Sequence, residues 1–132
     1  MRFIFDTNIC IYIIKRKPVQ LLDRLRTLDV SDVAISSITL SELEYGVAKS
    51  SRPAQNRDAL SAFLVPLEIL AFDQGAAFHY GEIRAFLERK GIIIGAMDML
   101  IASHARSLSL TLVTNNIGEF SRVPGLHVEN WL

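Results

Sequence analysis

The sequence predicts an α/β fold of three layers, with a mainly parallel central sheet between two layers of helices. Short apolar runs without polar alternation, as strands buried on both faces require, alternate along the chain with stretches of helical periodicity. Cap and turn residues separate the two kinds of segment, so the connections read as right-handed crossovers. At 132 residues, with no internal repeat, low-complexity tract or linker, the chain is expected to form one domain over residues 1–132.

Phe3-Ile4-Phe5 is the first strand, ended by Asp6. Asn8 to Lys15 and Pro18 to Leu28 follow as helices, the second opened by its proline at a first-turn position. Val33 to Ile35 is a buried strand closed by Ser36-Ser37, and Thr39 to Ala48 returns to helical spacing with Leu40, Leu43 and Val47 on one face. Pro53 begins a helix carrying Leu60, Phe63 and Leu64, and Pro66 stops it. Glu68 to Phe72 is the third strand, and the helix from about Asp73 to Lys90 ends at Gly91. After the loop Gly91 to Gly95, a helix from Met97 to Leu108 is expected to face the core with Met97, Ile101, Ala105 and Leu108. Thr111 to Val113 and Leu126 to Val128 complete the strands, with a turn at Thr114-Asn115-Asn116.

Composition narrows the function classes. Hydrophobic residues make up 50% of the chain, yet no apolar run approaches the ~18 residues of a membrane span, and the start lacks a signal-peptide pattern. A soluble, cytoplasmic protein is expected, with no membrane partner. The one cysteine, Cys10, lies in an apolar stretch as a structural thiol does, and His79, His104 and His127 lack zinc-ligand spacing. With 14 basic and 14 acidic residues the chain has no general affinity for polyanions. Nucleic-acid binding would need bound cations or local patches such as Lys15-Arg16-Lys17 or Arg84, Arg89 and Lys90.

The chemistry is in the acids. Asp6, Glu42, Asp98 and the Asn115-Asn116 to Glu119 segment all lie close to the end of a buried apolar element. In a parallel sheet the loops after several strands open on one edge, so these side chains can converge. Clustered carboxylates repel one another and stay ionised only when a cation or hydrogen-bond donors compensate. A hard divalent cation suits them, and it would activate water and stabilise charge on a phosphoryl oxygen, which implies phosphodiester hydrolysis. Local readings compete with this one. Asp6 or Thr7 fits a helix cap, Thr39-Leu40-Ser41-Glu42 has capping-box spacing, Asp98 can cap the helix it precedes, and Glu119 can be a solvated loop charge. For Asp98, Gly95 permits a close loop approach and the neighbours Ala96-Met97 and Met99-Leu100-Ile101-Ala102 are apolar.

The ordered set of motifs resembles the PIN-domain ribonuclease toxins of the VapC type. The matching residues are Phe5-Asp6-Thr7-Asn8, Ser36-Ser37 through Glu42 to Gly46, Gly95-Ala96-Met97-Asp98 with Ile101-Ala102, and Thr114-Asn115-Asn116 with Glu119-Phe120. The resemblance implies a PIN-like α/β/α fold and an acidic pocket that binds Mg²⁺, or Mn²⁺ in its place, and cleaves RNA, a tRNA loop being the typical target. By matching position it makes Asp6 and Asp98 the metal ligands and Glu42 a member of the same pocket, with Thr7 and Thr114 orienting the carboxylates. Glu119 and Asn116 complete the candidate catalytic set. Many PIN nucleases carry aspartate where this chain has Asn116, and that departure favours one metal over two. The resemblance also implies a small VapB-type antitoxin as partner and a homodimer.

The mechanism expected is in-line attack by water, deprotonated with help from Asp6, Glu42 or Asp98, leaving 5′-phosphate and 3′-hydroxyl ends. Lys15, Arg16, Lys17 and Arg84 would follow the RNA backbone. Two rivals stand beside it. A phosphatase with Asp6 as nucleophile would need a second aspartate two residues later, where this chain has Asn8. A PIN-like domain that only binds RNA or protein is made conceivable by Asn116.

Overall fold

The computed structural model describes all 132 residues. Its sheet contains β1 (Phe3–Phe5), β2 (Val33–Ser36), β3 (Glu68–Leu70), β4 (Thr111–Val113) and β5 (Val128–Glu129) in the order β3-β2-β1-β4-β5. Every neighbouring pair is parallel, so the sheet is parallel throughout rather than mainly so. Ile4 lies opposite Ala34 on one side and Leu112 on the other.

The pleat sends alternate residues to opposite layers. Phe3, Phe5, Val33, Ile35 and Val113 pack with Ile9, Leu21, Leu43 and Leu60. These come from α1 (Thr7–Ile14), α2 (Val19–Arg26), α3 (Ser37–Lys49) and α4 (Pro53–Leu64). Ile4 and Leu112 enter the opposite cluster, with Ile83 and Leu87 of α5 (Gln74–Lys90) and Ile101, Ala102 and Ala105 of α6 (Ala96–Ser107). Both faces of the strands are therefore covered, which is why the strand sequences carry no polar alternation. The half-buried Ile11, Ile13 and Ile14 also pack against the first cluster.

Several local expectations need correction. Pro18 is the N-cap of α2 and not its first helical residue. The α3 helix starts at Ser37, and its N-cap is Ser36, whose hydroxyl accepts the Ile38 N–H at 3.1 Å. Thr39 is thus inside the helix, and Glu42 belongs to no capping box. Met97 and Leu108 are exposed, because α6 turns Met99, Ile101, Ala102 and Ala105 inward instead. A short helix, α7 (Ile117–Phe120), follows the Asn115-Asn116 turn and carries Glu119, where the sequence shows no helical signal. The last strand sits at Val128–Glu129, beyond the Leu126 start expected for it.

Candidate active site

In the sheet order, β1 lies between β2 and β4, so the chain reverses its direction of travel there and opens a crevice at the carboxyl ends of the strands. Asp6 leaves β1 at that point. It is 4% exposed, and its Oδ1 accepts the Ile9 N–H at 2.9 Å as the N-cap of α1. Capping and membership of the pocket are therefore one arrangement and not competing ones.

The next strand on the other side, β4, runs into Thr114, fully buried, whose hydroxyl accepts the Asn116 backbone N–H at 2.9 Å and favours the ionised form of Asp6. From α1, the Thr7 hydroxyl donates to Glu42 Oε1 at 2.6 Å and so turns the α3 carboxylate toward the end of β1. Asp98 is the third residue of α6 and makes no cap bond; Gly95 is the cap residue. Gly95 has ordinary extended geometry, and a Cβ there would lie 3.7 Å from Asp98 Oδ2, so glycine keeps the carboxylate uncovered and does not serve an unusual backbone angle. Glu119 comes from α7, and its Oε2 accepts the Asn116 side-chain N–H at 3.0 Å.

The charges sense one another. Burial raises the Asp6 pKa, the Thr114 and Ile9 hydrogen bonds oppose that rise, and the charge of Glu42 adds to it. Asp98 is pushed up to about 7, first by burial, then by its contact with the Glu119 carboxyl and by the charges of Asp6 and Glu42. None of the protein's ion pairs involves these four acids, so no arginine or lysine neutralises them. The structure thus brings together Asp6, Glu42, Asp98 and Glu119, with Thr7, Thr114 and Asn116 as donors among them. No three of the acids form a ready-made cage around one point.

Residues 3–126 match the family model of the PIN domain. The chain belongs to the PIN-domain family. It is 51% identical over 132 residues to Ribonuclease VapC2 of Rickettsia felis, covering 99% of this chain and 98% of that protein. It is 47% identical over 131 residues to the tRNA(fMet)-specific endonuclease VapC of Salmonella typhimurium, with coverage of 99% and 98%. A chain in the crystal structure of VapBC2 from Rickettsia felis bound to a DNA fragment from their promoter superposes with a TM-score of 0.94 at 49% identity, covering 100% of both chains. This PIN domain is therefore of the VapC type.

Sequence reading missed one polar residue of the pocket floor. Thr39 is fully buried, and its hydroxyl lies 3.5 Å from that of Thr7. The signal was its position three residues before Glu42, which puts both on one helix face; the capping-box pattern masked it. The remaining buried polar pair is structural. His104 Nδ1 lies 2.7 Å from Ser36 Oγ, tying α6 to the end of β2, and burial lowers the His104 pKa. Burial also pushes the Cys10 thiol well up, which keeps it an inert core group. Among the basic residues expected on RNA, Lys15, Arg16 and Lys17 are exposed beyond α1, whereas Arg84 is engaged by Tyr80 at 2.9 Å and Glu88 at 3.7 Å.

Proposed function

We propose that this PIN domain is the toxin of a toxin–antitoxin pair, an endoribonuclease that requires Mg²⁺ or Mn²⁺ and hydrolyses phosphodiester bonds in structured RNA such as a tRNA. The observation that carries this reading is the convergence of Asp6, Glu42, Asp98 and Glu119 without a basic side chain; burial first, and the neighbouring acids with it, hold Asp98 at about 7. Such a donor set, all hard oxygen, fits Mg²⁺, which is usually held by one or two carboxylates together with water and substrate phosphate. Asp6 and Asp98 would hold the cation. When bound, it supplies the positive charge that lets an acidic pocket accept a phosphodiester and makes water easier to deprotonate.

The chain's own residues do the rest. Thr114 fixes the Asp6 carboxylate, and Thr7 fixes Glu42. Water attacks phosphorus in line as Glu42 takes the proton it gives up, the bond to the 3′-oxygen breaks, and that oxygen takes a proton from solvent. The products are a 5′-phosphate and a 3′-hydroxyl. Asn116 gives its amide hydrogen to Glu119, so Glu119 supplies the negative charge at this corner and Asn116 orients it. A domain that binds without cleaving is less well supported, since four acids remain in the pocket. A covalent role for Asp6 would need an acid two residues on, and that position is held by Asn8, an exposed amide.

The partner proposed is a VapB-type antitoxin, in line with the complex from Rickettsia felis, and the toxin itself is proposed to pair as a homodimer. Co-purification with the product of a neighbouring reading frame and the mass in solution check these two assignments. The enzymatic assignment is checked by RNA cleavage with Mg²⁺ or Mn²⁺ against chelator, for the wild type, Asp6→Asn and Asp98→Asn. Each substitution should lower the rate about a hundredfold or more. Undiminished cleavage in chelator, or in both variants, would defeat the reading.

A further inference from the structure

The bond between His104 and Ser36 holds the fold together, and its place in the chain gives it a second consequence. The register of Ile4 with Ala34, carried two residues on, sets Ser36 level with Asp6 at the carboxyl edge of the sheet. By the alternation of the pleat, both point to the same side as Ile4, the side that α6 covers. The Ser36 hydroxyl that meets His104 is also the N-cap of α3, so one oxygen fixes where α3 begins and where α6 lies. Glu42 follows Ser36 by six residues, and Asp98 precedes His104 by six. Each acid thus stands about 9 Å along its helix from the bond that joins the two helices.

No other side-chain hydrogen bond joins α6 to α3 or to the sheet. Its remaining contacts with the strands are apolar, Ile101, Ala102 and Ala105 against Ile4 and Leu112, and apolar packing has no preferred direction. Ser103 and Ser107 bond within the helix, and Arg106 reaches α5 and the Pro124 carbonyl. At 2.7 Å, the His104 bond fixes both distance and angle. The imidazole is braced from its other side by the Phe72 ring, edge-on with centroids 5.5 Å apart, and the Phe72 N–H donates to Ser37 Oγ at 3.1 Å. A buried polar pair of this kind gains little stability over two well-packed apolar groups. What it does supply is one arrangement in place of several.

We propose that Ser36 and His104 are a positioning pair: by seating α6 against the start of α3, their bond sets the spacing of Asp98 from Asp6 and Glu42 to suit a cation of the size of Mg²⁺. The assignment rests on the metal-dependent nuclease reading and deepens it, since it names residues outside the pocket that select its cation. Mg²⁺ demands near-octahedral geometry at about 2.0–2.1 Å, whereas Ca²⁺ accepts irregular shells at about 2.3–2.6 Å, so a loosened α6 harms the binding of the smaller ion more.

Calorimetric titration of cation-free protein with Mg²⁺ and with Ca²⁺ tests this without RNA. His104→Leu fills the space without the bond, and should lose about tenfold or more in Mg²⁺ affinity but only about threefold or less in Ca²⁺ affinity. His104→Asn, whose amide can occupy the place of Nδ1, should recover most of the Mg²⁺ affinity. Ser36→Ala removes the bond from its other end and should change the ratio of the two affinities to the same extent, with nothing further lost in the double variant. Either single variant carries the test if the other does not fold. Wild type brought to the same unfolding free energy with urea should keep its ratio, because lost stability alone weakens both ions alike. Equal losses for the two ions, or no recovery in His104→Asn, would overturn the positioning role, and RNA cleavage by the wild type would still leave the nuclease reading standing. The expected ratios in a protein that cleaves no RNA would remove the nuclease reading and keep the pair. A wild type that binds neither cation would defeat both.

Discussion

Asp98 is the residue whose environment says most about the pocket. Its pKa in the fold is about 7 against an ordinary value of 3.8, so the folded protein binds more protons than the unfolded chain between those values. The stability of cation-free protein should therefore be highest in acid, fall as pH rises from about 4 to about 7, and level off above. Asp98→Asn should flatten that fall and raise the melting temperature in chelator at pH 8; an unchanged pH profile would show that the acids are not coupled. Cation binding has the opposite sign, since it needs the carboxylate form and should strengthen as pH rises through about 7. Thr7 acts chiefly through Glu42, the nearer of its two side-chain partners. Thr7→Val removes the 2.6 Å bond while keeping the shape, and should lower cleavage about 10- to 100-fold with little change in melting temperature. Rescue by Thr7→Ser separates a lost hydrogen bond from a lost methyl contact.

Helix α3 shows how an element is set by the residue before it. Ser36 ends β2, caps α3 and meets His104 of α6, all with no exposure to solvent. Ser36→Ala should cost about 1–3 kcal/mol in urea unfolding, combining a lost cap with an unpaired imidazole. A cost near zero would mean that neither bond stabilises the fold. At the other end of the chain, Gly91 closes α5 at φ +68°, where its lack of a Cβ is needed, as its place after Lys90 led one to expect. Elements with strong local signals were legible in this way: β1, α4 with Pro53 at its start, α5 and β4. The weakly marked ones were not. The α7 turn contains only Ile117 to Phe120, too short for periodicity to register, and β5 is a two-residue edge strand defined by its pairing with β4.

For the whole molecule, the last residues close the first core. The Trp131 ring meets Phe3 and Phe5 edge-on, with centroids 5.0 and 5.5 Å away, and Arg24 stacks over it at 4.8 Å. Trp131→Ala should cost about 3–5 kcal/mol, measured by circular dichroism in denaturant, and Trp131→Phe distinctly less. The same core holds the start of β1, so this loss should also disturb Asp6 and depress cleavage. The sequence by itself determined the α/β class, the order of nearly all elements and the set of acids, because strand and helix periodicity, caps and motif order are local properties. It could not decide whether Asp6, Glu42 and Asp98 were caps or parts of one pocket. Only the tertiary structure decided that, by reversing strand order at β1 and bringing side chains 36 to 92 residues apart to one sheet edge, where burial and their shared field raise Asp98.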